Sequence, residues 1–135
     1  MMKQNYALSL RSLKNLEGVH PDLVMVVNRA IEITPYDFGV TCGTRDIDTQ
    51  VKMLDEGKST TMRSKHLPQA DGFSHAVDLS CYVKGKITWD HKYFRKIIQA
   101  MMTAAIELGI QIKAGGLWRD FLDSPHFELD DRYYP

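Results

Sequence analysis

The chain has 135 residues, 44% of them hydrophobic and 25% charged. That balance belongs to an ordinary globular protein and excludes a disordered or collagen-like chain. Seventeen basic residues offset seventeen acidic ones, which argues against a protein whose affinity rests on a phosphate backbone, so no nucleic-acid partner is expected. At this length one domain over residues 1–135 is expected, burying roughly 65–70% of its unfolded surface, and a monomer is the default. The longest apolar runs, such as Leu23–Val27, stop far short of a bilayer span, so no membrane insertion is expected. The start, Met1-Met2-Lys3-Gln4-Asn5-Tyr6, lacks the apolar core of a secretory signal. Synthesis in the cytoplasm is therefore expected, with any outside action depending on release by another agent.

A short helix is expected over Leu8–Leu16. A second starts at Pro21, a favoured first-turn residue, with Asp22 complementing the dipole. Its stripe Leu23, Val26, Val27, Ala30 and Ile31 has the spacing of one buried face. Phe38–Cys42 reads as a short strand, followed by a helix capped by Asp46 or Asp48 that runs through Leu54 and stops at Gly57. Lys58 to Phe73 is polar and carries Pro68 and Gly72, which makes it a long loop of the kind that is often functional. Ala76–Val83 alternates as a strand, with Val77, Leu79, Cys81 and Val83 on one face and Asp78 projecting from the other. Lys84-Gly85 is a turn signal.

The longest helix is expected from Trp89 to Leu108, capped by Thr88 or Asp90, with Phe94, Ile97, Ile98, Met101, Ala105 and Leu108 inward and Gly109 at its end. Ile110–Lys113 and His126–Leu129 read as strands around a Gly115-Gly116 turn. The order predicts an α+β fold, a small mainly antiparallel sheet with helices packed against it. Cys42 and Cys81 are too few for a disulfide framework and read as small buried hydrophobes, with one bridge between them left open.

Five histidines carry most of the chemistry. His20 and His91 sit at helix starts and read as surface residues, whereas His66, His75 and His126 each lie near a carboxylate. Two imidazoles and one carboxylate, His66, Asp78 and His126, would leave the fourth position of a tetrahedral zinc open for a water, as catalytic zinc requires. Asp123 stands three residues before His126, within reach of such a water as general base.

The segments Thr41-Cys42-Gly43-Thr44-Arg45, Ser64-Lys65-His66-Leu67, His75-Ala76-Val77-Asp78-Leu79, Gly115-Gly116-Leu117-Trp118 and Asp123-Ser124-Pro125-His126-Phe127-Glu128-Leu129 follow one another in an order that resembles the VanY-type peptidoglycan peptidases. Within that family the chain is most similar to the L-alanyl-D-glutamate endopeptidases used as bacteriophage endolysins, from about Pro21 to the C-terminus. The resemblance implies Zn2+ held by His66, Asp78 and His126 in a cleft at the sheet, with Asp123 as the catalytic carboxylate. It also implies that Arg45 binds substrate or steadies the oxyanion, with Ser64 beside it as a substrate-binding residue. The expected reaction is hydrolysis of the L-Ala-D-Glu bond of peptidoglycan stem peptides, acting on the cell wall in host lysis.

The chain departs from the family pattern in three places. Eleven residues separate His66 from Asp78, more than is usual, with Pro68–Gly72 as the extra stretch. A surface loop absorbs such length cheaply, but the change makes His75 a competing ligand. Leu117 replaces a frequent aspartate. Asp123 stands where the D-Ala-D-Ala dipeptidases carry glutamate, which favours the endolysin-like bond. A D-Ala-D-Ala carboxypeptidase and a non-catalytic zinc-binding module are the alternatives. Trp118 and Phe121 are assigned to core or cleft wall, and Glu128, Asp130 and Asp131 to a solvated face, with calcium as a minor option.

Overall fold

The computed structural model describes residues 6–57, 64–117 and 125–135. Its elements are α1 (Leu10–Asn15), α2 (Pro21–Ile33), β1 (Asp37–Cys42), α3 (Ile47–Asp55), β2 (Ala76–Val83), β3 (Lys86–Thr88), α4 (His91–Leu108), β4 (Ile112–Ala114) and β5 (His126–Leu129). A single turn of 3-10 helix, Gly115–Leu117, follows β4. The strands form one antiparallel sheet in the order β1-β2-β5-β4, and β3 pairs with the far end of β2. This is the α+β architecture expected from the sequence.

The period-two pattern of β2 sorts the sheet into two faces. Val77, Leu79 and Cys81 are fully buried and join Phe38, Val40, Phe127 and Leu129 in the core. That core is closed by α2 and α4, which pack on each other. The five predicted inward residues of α2 are its buried set, and Phe94, Ile97, Ile98, Met101 and Ala105 of α4 are buried as predicted. Each of these larger side chains contributes about 1.5–3 kcal/mol by leaving water. Leu108 differs: it is 37% exposed, because the helix ends there at Gly109, whose φ of 72° makes the left-handed C-cap.

Caps settle the open alternatives. Asp46 accepts from the Thr49 amide and caps α3, and Asp90 accepts from Lys92 and caps α4, which therefore begins at His91 rather than Trp89. Strand β4 shifts similarly, to Ile112–Ala114 instead of Ile110–Lys113, whereas β5 covers His126–Leu129 as expected. Strand β3 was not foreseen. Lys84 (φ 54°) and Gly85 (φ 77°) form the two-residue turn of a hairpin, but three residues are too few to display alternation.

The opposite face and free edge of β1 are covered by α1. The Val40 amide donates to Ser12 Oγ at 2.9 Å, and Asn15 Nδ2 donates to the Val40 carbonyl at 2.8 Å. Two side chains thus satisfy backbone groups that an edge strand would otherwise leave open. The chain then passes so close to α1 that a Cβ on Gly43 would lie 1.9 Å from the Asn15 carbonyl oxygen. Backbone meets backbone there, so relief requires the helix or the strand end to move. Gly43→Ala is expected to cost roughly 1–3 kcal/mol, read as a lowered urea midpoint; an unchanged midpoint would contradict this packing.

Candidate metal centre

The sheet register builds the site. Asp78 on β2 is directly opposite His126 on β5, so their side chains share a face, the one turned away from α2 and α4. On the other side of β2, Leu79 pairs with Val40 but Asp78 pairs with Cys42, which leaves Thr41 as the extra residue of a bulge. The bulge re-aims Cys42 so that it lies opposite Asp78 rather than Val77, a common use of bulges beside functional sites. His66 comes from the loop before β2. Its carbonyl accepts the Arg45 amide at 2.8 Å, and its amide donates to Ser64 Oγ at 3.1 Å. Ser64, expected at the substrate, is thus a turn residue that sets the His66 backbone.

These elements bring the three expected ligands together. Asp78 Oδ2 lies 3.3 Å from His66 Nε2, and Asp78 Oδ1 lies 3.2 Å from His126 Nδ1. The two rings meet edge to face with centroids 5.2 Å apart. His66 Nδ1 is 2.8 Å from the Gly43 carbonyl oxygen. A carbonyl only accepts, so Nδ1 carries the proton and Nε2 is the atom free to bind a cation. His126 is held the other way round: Nε2 is 2.8 Å from Glu128 Oε1, which leaves Nδ1 toward Asp78.

Burial lowers the pKa of both imidazoles, but their hydrogen bonds outweigh it, those of His66 to Asp78 and Cys42 and those of His126 to Asp78 and Glu128. His66 is pushed up to about 10 and His126 to about 9. Burial raises Asp78, yet the two rings hold its carboxyl well below the usual range. The site is a carboxylate gripped by two imidazoles.

The donor set suits zinc. Two imidazole nitrogens and a carboxylate are among its usual ligands, and His66 and His126 each approach one oxygen of Asp78, at 3.3 and 3.2 Å. Each non-ligating ring nitrogen already has an acceptor, the outer arrangement that metal-binding histidines require.

The sequence reading missed three residues of this region. Cys42 is half-buried rather than a core hydrophobe, and Cys42, His66 and Asp78 together offer donor atoms within 4.8 Å of one another. Its Sγ lies 3.7 Å from His66 Nδ1, the nitrogen engaged by Gly43. Burial raises the thiol pKa, but His66 and Arg45 prevail and lower it. Both cysteines are free. Gln50 is fully buried and accepts from Arg45 Nη1 at 2.8 Å, while Arg45 Nη2 reaches Cys42 Sγ at 3.5 Å. Arg45 is thus fixed beside the centre, as the sequence suggested. Glu128, assigned to a solvated face, is turned to His126, while Asp130 binds Arg132 and Asp131 binds Lys113. The three carboxylates have separate partners and form no common calcium site. Alternation along β5, which puts Glu128 and His126 on one face, was the available signal.

His75 is not at the centre. It is buried against His20 and Tyr134, with Nε2 2.7 Å from Asp71. His20 is no bare surface residue either: its Nδ1 accepts from the Asp22 amide and caps α2. The long loop is tied into place, with Gln69 and Gly72 hydrogen-bonded within it and the His75 amide donating to Lys65. Its extra length leaves His66 beside Asp78. Asp123, Trp118 and Phe121 lie outside the described residues.

Comparison with known proteins identifies the family. The family described as phage L-alanyl-D-glutamate peptidase matches residues 4–130. The L-alanyl-D-glutamate peptidase of Escherichia phage T5 is 32% identical over 118 residues, covering 84% of this chain and 82% of that protein. The crystal structure of the Serratia marcescens L-Ala D-Glu endopeptidase ChiX superposes with a TM-score of 0.85 at 38% identity, over 96% of this chain and 94% of that one. With its fold, its convergent histidines and a match along nearly its whole length, the chain belongs to the phage L-alanyl-D-glutamate peptidase family.

Proposed function

We propose that this protein is a zinc peptidase that hydrolyses the L-Ala-D-Glu bond of peptidoglycan stem peptides. Family membership over residues 4–130 supports the peptidase activity and the bond. The observation that carries the metal reading is the meeting of His66 Nε2, Asp78 and His126 Nδ1 on one face of the sheet. The site is open on that face, since Asp78 is only partly buried.

A zinc ion there supplies Lewis acidity for the scissile carbonyl and makes a water nucleophilic near neutral pH. The chain's own groups do the rest. Asp123, three residues before His126, takes the proton of the attacking water and returns it to the leaving amine. Arg45, anchored by Gln50, presents its guanidinium to a substrate carboxylate or to the developing oxyanion. His66 and His126 hold position through their outer hydrogen bonds. Ser64 acts through the turn that presents His66.

The substrate places the action at the cell wall, and we assign the protein to host lysis at the end of a phage cycle. Among the described residues no helix is long and apolar enough to cross a membrane.

Purified peptidoglycan incubated with the zinc-loaded protein should yield new D-glutamyl amino termini, identified by mass spectrometry. Asp123→Ala should lower the rate about 10²–10⁴-fold while zinc remains bound. Released D-alanine would instead make the enzyme a carboxypeptidase, and bound zinc without cleavage of any wall type would favour a recognition module. Metal removal has its own signature. In the metal-free protein the ring nitrogens facing Asp78 carry protons, so zinc uptake at pH 7 should release about two protons, seen in a weakly buffered titration. Zinc affinity should then rise with pH, steeply up to about 9 where His126 loses its proton unaided and less steeply to about 10 where His66 does; uptake without proton release would contradict the site.

A further inference from the structure

We propose that Glu128 is a positioning residue that selects the metal-binding nitrogen of His126. The inference rests on the zinc reading above and adds a residue to it.

An imidazole presents one nitrogen to a metal, and the hydrogen bond at the other nitrogen decides which. His66 has that choice made by the main chain, through the Gly43 carbonyl. At Nε2 of His126 the partner is a carboxylate, Glu128 Oε1, at 2.8 Å. Both side chains are largely sheltered, His126 at 10% and Glu128 at 14% exposure, so water competes weakly for the bond. The other carboxylate on the ring, Asp78 at Nδ1, is itself a ligand and cannot serve to hold the ring against the metal. Glu128 thus holds the proton on Nε2, so that Nδ1, the nitrogen facing Asp78, is the one that a metal takes.

Strand geometry explains the residue type. Side chains two positions apart on β5 share a face, with their Cα atoms about 6.5–7 Å apart. Neighbouring side chains at that spacing do not touch unless one is long enough to lean back along the strand. Glutamate closes the gap, and aspartate is one methylene short.

A carboxylate that merely pairs with His126 to hold the sheet would show itself differently. It would stabilise the metal-free fold and leave zinc binding alone. The test compares wild type with Glu128→Gln, Glu128→Asp and Glu128→Ala. Three readouts are taken: zinc affinity by chelator competition, the ring tautomer of His126 by 15N NMR of the zinc-loaded protein, and the melting temperature of the metal-free protein. Wild type should show a protonated Nε2 with Nδ1 on the metal. Glu128→Ala and Glu128→Asp should bind zinc about 10–100-fold more weakly, and Glu128→Gln should recover most of that loss because its amide oxygen accepts the same hydrogen bond. Should the alanine variant fail to fold, the aspartate and glutamine variants decide the matter. Alanine and aspartate variants that bind zinc within about twofold of wild type would overturn the proposal, as would a wild-type His126 bound through Nε2. A wild type that takes up no zinc would overturn the metal centre itself, a failure distinguishable from that of Glu128 alone.

Discussion

The proposed metal centre depends on one cross-strand pair, Asp78 opposite His126 in the β2–β5 ladder. That register puts a carboxylate and an imidazole on the solvent side of a sheet whose other side is sealed by α2 and α4. A slip of one residue would turn Asp78 into the core and Leu79 outward. The burial of Val77, Leu79 and Cys81 thus does two things at once: it stabilises the fold and it aims the proposed metal ligands. The core does not merely support the site; it sets its register.

The third ligand arrives by a different route. His66 stands on a loop, and a loop histidine is worth little to a metal unless its ring is fixed. The chain fixes it by docking that loop on Gly43–Arg45: the Arg45 amide bonds the His66 carbonyl, and the Gly43 carbonyl bonds the His66 ring. Gly43 sits there because α1 presses its last carbonyl against it. The short first helix, which contributes little to the core, is thereby linked to the site through Asn15, Gly43 and His66. The extra loop residues are restrained separately, with Asp71 held by His75 close to His20, and this explains how the insertion leaves His66 undisturbed.

Much of this was legible in the sequence, and the reasons differ by element. The buried stripe of α2 and the alternation of β2 are strong periodic signals, and they predicted both the helix face and the outward turn of Asp78. Family motifs supplied His66 as the partner of Asp78 across a loop too long for any spacing argument, and the structure brings the two together. The losses are equally physical. Strand β3 is too short to show a period, and Leu108 falls outside because a helix end escapes the face that its middle buries. Cys42 was misjudged because a bulge, invisible in composition, changes which residue it faces. Glu128 was misjudged because a carboxylate near the end of a charged segment looks solvated until its strand neighbour is considered.

The central claim is that two histidines and an aspartate, with no thiolate, hold the metal. X-ray absorption at the zinc edge of the loaded protein tests it directly. The account predicts only nitrogen and oxygen neighbours at about 2.0–2.1 Å, with the outer-shell pattern of two imidazole rings. A sulfur neighbour at about 2.3 Å would place Cys42 in the centre, and a single imidazole would remove one histidine from it; either result would contradict the account.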